Sequence, residues 1–572
     1  MTAVELQLPE RLRAGGDAVS PPARTLEVEH LAVGFRREGG VRPVVQDVSF
    51  RLEPGRCLAI VGESGSGKSV TARSLVGLTG QGAVVEAATL RLGDEELRGR
   101  SAADWRRLRG AHIGFVLQDA LVSLDPLRPV GREIDEALRL HGWGGRADRR
   151  RRVLELLRSV GVPEPEVRAG QRPDELSGGL RQRALIASAI ALDPGLLVAD
   201  EPTTALDVTV QAQVLDLLEA AKDRGTSIIL ISHDLSVVSR LADEVLVIRG
   251  GEVVEQGEAG AVLADPQHPY TRALIAAVPG AATRGARLVP ASGDAASPAE
   301  PAVARTRSGE AVLEARGLVK RFRRRGGSTQ LAVADVGFEL RRGETLGIVG
   351  ESGSGKSTTG RIVLGLERPD AGEVRLLGEA WTGIPERRRR ARRRRITTVV
   401  QDPLSSFDPR WNVERILLDA LPAGGAARSR EARVDELLAA VGLPAQVRRR
   451  FPLTLSGGQR QRVAIARALA PEPEIIVLDE AVSALDVSIQ AQILDLLVDL
   501  QRERGLAYVF ITHDLGVVAH LADRVLVMQG GRVVEQGDVE DVFERPQDPY
   551  TRELIGSIPA FDPGARARGA RP

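Results

Sequence analysis

Short, strongly apolar runs recur along the chain and are separated by longer stretches with helical spacing. Cys57–Val61, Ile113–Leu117, Leu196–Ala199, Ser227–Ile231 and Glu244–Ile248 are rich in Val, Ile and Leu and show little polar alternation. Runs of this kind predict buried strands of a largely parallel sheet. The helical patterns between them, such as Val210–Lys222, predict helices flanking that sheet. Two stretches, Val130–Val160 and Val413–Val441, lack strand patterning and predict an inserted helical subdomain.

The pattern is written twice. GESGSGKS occupies Gly62–Ser69 and again Gly350–Ser357, an offset of 288 residues. LSGG recurs from Leu176 and Leu455 and the Asp-Glu pair from Asp200 and Asp479, both at an offset of 279. HDL recurs from His233 and His513 and PYTR from Pro269 and Pro549, both at 280, and a VVEQG run precedes each PYTR. The offsets differ mainly between the first motifs, where surface loops absorb deletions. The expected organisation is a disordered start over 1–25, a first domain over 26–285, a linker over 286–310, a second domain over 311–562 and a disordered end over 563–572. Gly280 to Arg307, rich in Ala, Pro, Gly, Ser and Arg, reads as a flexible tether.

Composition narrows the partners. Lys and Arg (78) almost cancel Asp and Glu (77), so no overall field attracts a nucleic-acid backbone, and aromatics at 3% leave little material for stacking bases. No nucleic-acid partner is expected. The single cysteine, Cys57, excludes an internal disulfide and a cysteine-built zinc or iron–sulfur site, and reads as buried packing. The first residues lack the apolar run of a signal peptide, and no run of about 18 apolar residues occurs, so a membrane role is expected to be peripheral. Lysine stands at only four positions, 68, 222, 320 and 356, against 74 arginines.

Two of those lysines sit where chemistry is expected. Gly62-x4-Gly67-Lys68-Ser69 follows a strand and precedes a helix, the setting of a phosphate-binding loop. Backbone N–H groups of Gly62, Ser64, Gly65, Gly67 and Val70 would close around phosphate, Lys68 would reach the β- and γ-phosphates, and the Ser69 hydroxyl would bind Mg2+. Gly350, Ser352, Gly353, Gly355, Lys356, Ser357 and Thr358 repeat the set. Asp200 and Asp479 end buried strands and would hold Mg2+ through water, while the adjoining Glu201 and Glu480 would orient or deprotonate an attacking water. For the acidic pair alone, a helix cap beside a solvated acid is the alternative. Gln118 and Gln401 follow another strand and can bridge to the metal or the water. His233 and His513 can contact the γ-phosphate, or serve as satisfied structural residues.

The signatures Leu176-Ser177-Gly178-Gly179 and Leu455-Ser456-Gly457-Gly458, in this order with the other motifs, resemble those of ABC-type ATPases. The resemblance implies an α/β chain of two tandem P-loop NTPase domains, each with a mainly parallel core, an antiparallel β portion and a helical subdomain. It implies intramolecular pairing of the two halves head to tail, with ATP held between one half's phosphate loop and the other half's signature. It also implies that Phe35 and Phe322 stack on adenine, with packing against the sheet as the alternative, and that Asp207 and Asp486 link the two sites.

QDALVSLDP and QDPLSSFDP, together with the tails DPQHPYTRALIAAVP and RPQDPYTRELIGSIP, resemble the oligopeptide, dipeptide and nickel importer ATPases. That narrower resemblance implies an ATP-hydrolysing subunit on the cytoplasmic face of the membrane. Its partners would be two transmembrane permease subunits and an extracytoplasmic solute-binding protein. Two departures stand out: Leu180 replaces a common Gln, and Ala481 replaces a usual Pro after Glu480. Soluble twin-cassette ATPases of translation or DNA repair are the rival class, opposed by the short Pro/Ala-rich tether and the lack of zinc cysteines. The run Arg387–Arg395 reads as a solvated face, with anionic lipid as the alternative.

Overall fold

Cys57–Val61 is buried along its whole length and lies between two parallel neighbours, Ser227–Ile231 and Glu244–Arg249. In the computed structural model the order continues outward on one side through Leu196–Asp200 to Ile113–Val116. On the other side Glu252–Glu258 adds antiparallel to Glu244–Arg249. The described residues are 24–118, 123–203, 206–289, 309–323, 329–422, 427–483 and 485–557. The ends expected to fray lie outside them, apart from Arg24 and Thr25.

Contacts divide the chain into two units, one containing the residues through Leu206 with Val210–Ile275, the other Ala276–Ile558 with Asp207–Thr209. In the first unit the antiparallel strands Leu26–Arg37 and Gly40–Leu52 join the parallel core through the pair Glu252 and Asp47. In the second, the core order is Ile396–Val399, Ile475–Asp479, Ala507–Ile511, Thr345–Val349, Arg524–Gln529 and Arg532–Asp538. The antiparallel strands Ala311–Arg323 and Thr329–Arg341 form a separate sheet there with Ala371–Leu376. In both units the phosphate-loop strand and the acidic strand are separated by one strand. Their carboxyl ends, where ligands of open parallel sheets bind, therefore face a common rim.

The helical insertion is present in both units: Val130–Leu140 and Arg146–Ser159 in the first, Val413–Ala420 and Ala427–Ala440 in the second. Ala102–Leu108 carries Trp105 against the end of the phosphate-loop helix, where a Cβ on Gly77 would lie 2.3 Å from its ring. Trp381 does the same in the second unit, fully buried and donating from Nε1 to Val363 O at 2.8 Å. Both tryptophans back the helix that follows the phosphate loop.

The stretch read as a flexible tether begins as an ordered part of the second unit. Ala281–Thr283 makes a 3-10 turn, the Thr283 hydroxyl meets His520 Nδ1 at 3.1 Å, and Arg284 Nη1 donates to Ala522 O at 2.8 Å. Leu288 is buried in the helical core, and the N–H groups of Leu288 and Val289 donate to the Asp495 carboxylate at 3.0 and 2.9 Å. Residues 290–307 of the tether lie outside the described residues. Among the described residues no helix is long and apolar enough to cross a membrane.

Candidate functional site

The loop after Cys57–Val61 turns sharply because its first residue has no side chain. Gly62 has φ +148°, and a Cβ there would lie 2.1 Å from Ile248 O; Gly350 has φ +144° with the same clearance from Met528 O. Gly67 and Gly355 then lead into helices Lys68–Leu75 and Lys356–Val363. Both lysines are buried and curl back over the loop. Lys68 Nζ donates to Gly62 O and Glu63 O at 2.7 and 2.8 Å, and Lys356 Nζ to Gly350 O and Glu351 O at 2.6 and 2.8 Å. Ser64, Gly65, Ser352 and Gly353 are exposed at the loop tip, and Val70 and Thr358 are half-buried on the first helical turn.

The acidic strands reach the same place. Ser69 Oγ donates to Asp200 Oδ1 at 3.0 Å, and Ser357 Oγ to Asp479 Oδ1 at 3.4 Å. Burial pushes both aspartates above the usual carboxylate range, and the neighbouring Glu201 or Glu480 pushes the same way, against the serine hydrogen bonds and the Lys and Arg charges. Asp200 Oδ2 is buried with no hydrogen-bond partner among the described residues. A carboxylate oxygen left without a partner beside a serine hydroxyl fits a hard, oxygen-seeking cation.

Glu201 and Glu480 both stand at φ +50°, a left-handed conformation that is uncommon for a residue with a side chain. Their own N–H groups hold the turn by donating to Ile231 O and Ile511 O at 2.9 and 2.8 Å. Each carboxylate is then gripped from two further strands. Gln118 Nε2 donates to Glu201 Oε2 at 2.9 Å, and Gln401 Nε2 to Glu480 Oε2 at 2.6 Å. His233 Nδ1 lies 3.2 Å from Glu201 Oε1, and His513 Nδ1 3.4 Å from Glu480 Oε1. The alternative of a helix cap beside a solvated acid does not describe these glutamates. Glu480 adopts the same φ as Glu201 although Ala481 stands in the place of Pro202.

Each histidine is positioned by its neighbour. Asp234 caps helix Leu235–Leu241 and accepts from Gln211 Nε2 at 3.0 Å; Asp514 caps Leu515–Leu521 and accepts from Gln490 Nε2 at 3.2 Å. Burial works to lower the pKa of His233 and His513, but the hydrogen bond and charge of the facing glutamate outweigh it, and both end above the usual histidine value. Glu480 is correspondingly held low, its burial outweighed by His513 and Lys356. The Glu480–His513 ion pair therefore stabilises the fold fully between the unfolded glutamate pKa of about 4.3 and the unfolded histidine pKa of about 6.5; the contribution is lost as pH rises through the raised His513 value and as pH falls through the lowered Glu480 value. We expect NMR of carbon-13-labelled histidine to show two imidazoles titrating above about 6.5. In Glu201→Gln/Glu480→Gln both should fall below that value, because burial, aided by the Lys68 or Lys356 charge, is then opposed only by the weaker pull of Asp234 or Asp514; unmoved titrations would refute the pairing.

The signature serines act here as helix caps. Ser177 Oγ accepts from Leu180 N at 3.4 Å at the start of Gly178–Ala189. Ser456 Oγ accepts from Gln459 N at 3.2 Å, and Gln459 Oε1 in turn accepts from Ser456 N, completing a capping box. Leu180 thus removes one arm of the box. Gly179 and Gly458 lie against Val210 and Ile489, where a Cβ would come within 3.2 and 2.6 Å. Of the two candidate stacking rings, Phe322 is exposed, with Lys320 Nζ 5.3 Å from its centroid, and Phe35 is half-buried on strand Leu26–Arg37.

Sequence reasoning missed four residues at the loops. Ser66 and Ser354 are buried with hydroxyls that have no hydrogen-bond partner among the described residues. Tyr270 and Tyr550 reach the loops from the tails: the N–H of Glu63 donates to Tyr270 Oη at 2.9 Å and that of Glu351 to Tyr550 Oη at 3.0 Å. The signal was available, since the chain has three tyrosines and two of them occupy equivalent places in the repeat.

Known proteins resemble the chain over nearly its whole length. A family model described as ABC transporter matches residues 45–204 and 333–483, and one described as the C-terminal region of oligopeptide/dipeptide transporters matches 254–303 and 534–572. The chain is 44% identical to the oligopeptide transport ATP-binding protein OppD of Mycobacterium bovis, covering 95% of this chain and 99% of that protein. It is 43% identical to the glutathione import ATP-binding protein GsiA of Pectobacterium atrosepticum, covering 96% and 92%. Among solved structures, a dimeric ATP-binding cassette in a post-hydrolysis state with ADP and Pi matches at 31% identity and a TM-score of 0.37, covering 40% of this chain and 98% of that one.

Proposed function

Because the chain belongs to the ABC transporter family, with two ATP-binding cassettes and two importer-type tails in one polypeptide, we propose that it is the ATPase subunit that energises import of peptides or related small solutes. The observation that carries this reading is the duplicated constellation of Lys, Ser, Asp, Glu, Gln and His on one rim of each sheet. Both sites have a glutamate and a histidine, so both hydrolyse ATP.

In each site the loop amides and the lysine hold the β- and γ-phosphates, and the lysine exchanges its two loop carbonyls for phosphate oxygens. Ser69, Asp200 and Gln118, and Ser357, Asp479 and Gln401, would hold Mg2+, which supplies charge neutralisation at the phosphates. Among the described residues no group of three or more His, Cys, Asp or Glu is placed to hold a metal alone. Glu201 and Glu480 accept a proton from the attacking water, and the paired His233 and His513 donate toward the γ-phosphate. The signature residues Ser177, Gly178, Ser456 and Gly457 offer helix-N-terminal donors to a phosphate, and Phe35 and Phe322 a face for adenine.

Permeases in the membrane and a solute-binding protein outside it are the proposed partners, with the chain bound peripherally on the cytoplasmic face. Uptake of a labelled peptide in a strain lacking this chain tests the reading. The wild-type chain should restore uptake and Glu201→Gln/Glu480→Gln should not. Pull-down from solubilised membranes should bring two polytopic subunits; sedimentation with ribosomes and unaltered uptake would sink the proposal.

A further inference from the structure

The tails following each cassette have no part in the chemistry above, yet their repeated residues converge on the phosphate loops. In the first unit, strand Glu252–Glu258 places Glu255 so that its carboxylate accepts from Gln267 N and His268 N at 2.7 and 3.1 Å. In the second, Glu535 accepts from Gln547 N and Asp548 N at 2.8 and 3.0 Å. The VVEQG and PYTR motifs are therefore one structural unit. Arg272 secures the same bend through Pro266 O and Gln267 O at 3.1 and 2.9 Å, and Arg552 through Gln547 O at 3.0 Å. His268 Nδ1 and Asp548 Oδ1 accept the N–H of Tyr270 and Tyr550 at 3.2 and 2.8 Å and start helices Pro269–Ala276 and Pro549–Gly556.

So anchored, each tyrosine buries its ring and places Oη on the second residue of the phosphate loop. Glu63 N–H donates to Tyr270 Oη at 2.9 Å while Glu63 O accepts from Lys68 Nζ at 2.8 Å. Glu351 repeats both bonds with Tyr550 and Lys356, at 3.0 and 2.8 Å. One residue of the loop is thus held by the tail on its N–H and by the catalytic lysine on its carbonyl. The contact is built twice although the tails differ around it, His268 against Asp548 and Ala273 against Glu553.

We propose that Tyr270 and Tyr550 are positioning residues for nucleotide binding, the phenol of each tail fixing the peptide of Glu63 or Glu351 so that the loop is pre-shaped for phosphate. The inference rests on the ATPase reading above. A backbone N–H that faces away from the phosphates needs another acceptor. Without the phenol the loop must be ordered by ATP itself, which weakens ATP binding while leaving the chemical step with the same groups.

The test uses the full chain carrying Tyr270→Phe and Tyr550→Phe, which keeps both rings and removes only the hydroxyls. KM for ATP and the Kd of a fluorescent ATP analogue should rise about fivefold to tenfold, the effect of one lost hydrogen bond, with kcat changed by less than about twofold. Glu255→Ala/Glu535→Ala, which frees the tail without touching the loop, should raise KM similarly, and the four substitutions together should do little more than either pair. Each single Tyr→Phe variant should weaken one of two binding events. Wild-type KM in the double Tyr→Phe chain, or a fall in kcat at unchanged KM, would overturn the positioning role. A wild-type chain that neither binds nor hydrolyses ATP would instead overturn the ATPase reading.

Discussion

Glu201→Gln combined with Glu480→Gln should lower ATP turnover by about 10²–10⁴-fold while ATP remains bound, because a positioned general base contributes that much. Glutamine matches the volume of the carboxylate and retains one oxygen to accept from Gln118 or Gln401. It cannot take a proton. The left-handed turn at φ +50° and its bond to Ile231 O or Ile511 O are backbone features that the substitution leaves alone. Phosphate release at saturating ATP should therefore fall together with retention of unhydrolysed, labelled ATP on the protein. Turnover above about a tenth of wild type would mean that the water is activated elsewhere, since such a loss is smaller than a base should cause.

The second large effect is expected at the loop lysines, through binding instead of chemistry. Burial pushes the Lys356 ammonium below its usual pKa against the opposing charges of Glu480 and Asp479, so folding carries a cost for this cation that a phosphate would offset. The ammonium donates to Gly350 O and Glu351 O. Lys68→Ala with Lys356→Ala removes a buried charge-assisted contact worth about 1.5–3 kcal/mol per site, a loss of about 10–10²-fold in ATP affinity. The thermal shift that ATP gives the wild-type chain should vanish at ATP concentrations that saturate wild type, with the melting temperature of the nucleotide-free protein little changed. A retained shift would show that the loop amides alone carry the affinity.

Ala481 illustrates how local and tertiary constraints divide. Ala481 lacks the ring that would fix its own φ, yet Glu480 keeps the φ of Glu201, because the neighbouring strand Ala507–Ile511 supplies the bond that holds the glutamate in place. Leu180 shows the converse. Its effect is local, one arm of a capping box lost, and follows from the residue type alone.

Sequence by itself determined the buried strands of the parallel core, the two phosphate loops, the acidic strand ends and the repeat, because each depends on consecutive residues or on a spacing within one element. Tertiary structure alone decided which remote residues meet. The meeting of Glu201 with Gln118 and His233 follows from strand order: Leu196–Asp200 lies between the strands that end at the other two. A buried strand carries no periodic mark of its neighbours, so apolar patterning cannot specify that order. The same limit hid the partners of Tyr270 and Tyr550, whose repeated positions were legible but whose loop contacts were not, the tryptophans behind the loop helices and the ordered start of the tether. Each is a contact between segments far apart in the chain, and only the packed fold brings them within hydrogen-bonding or van der Waals reach.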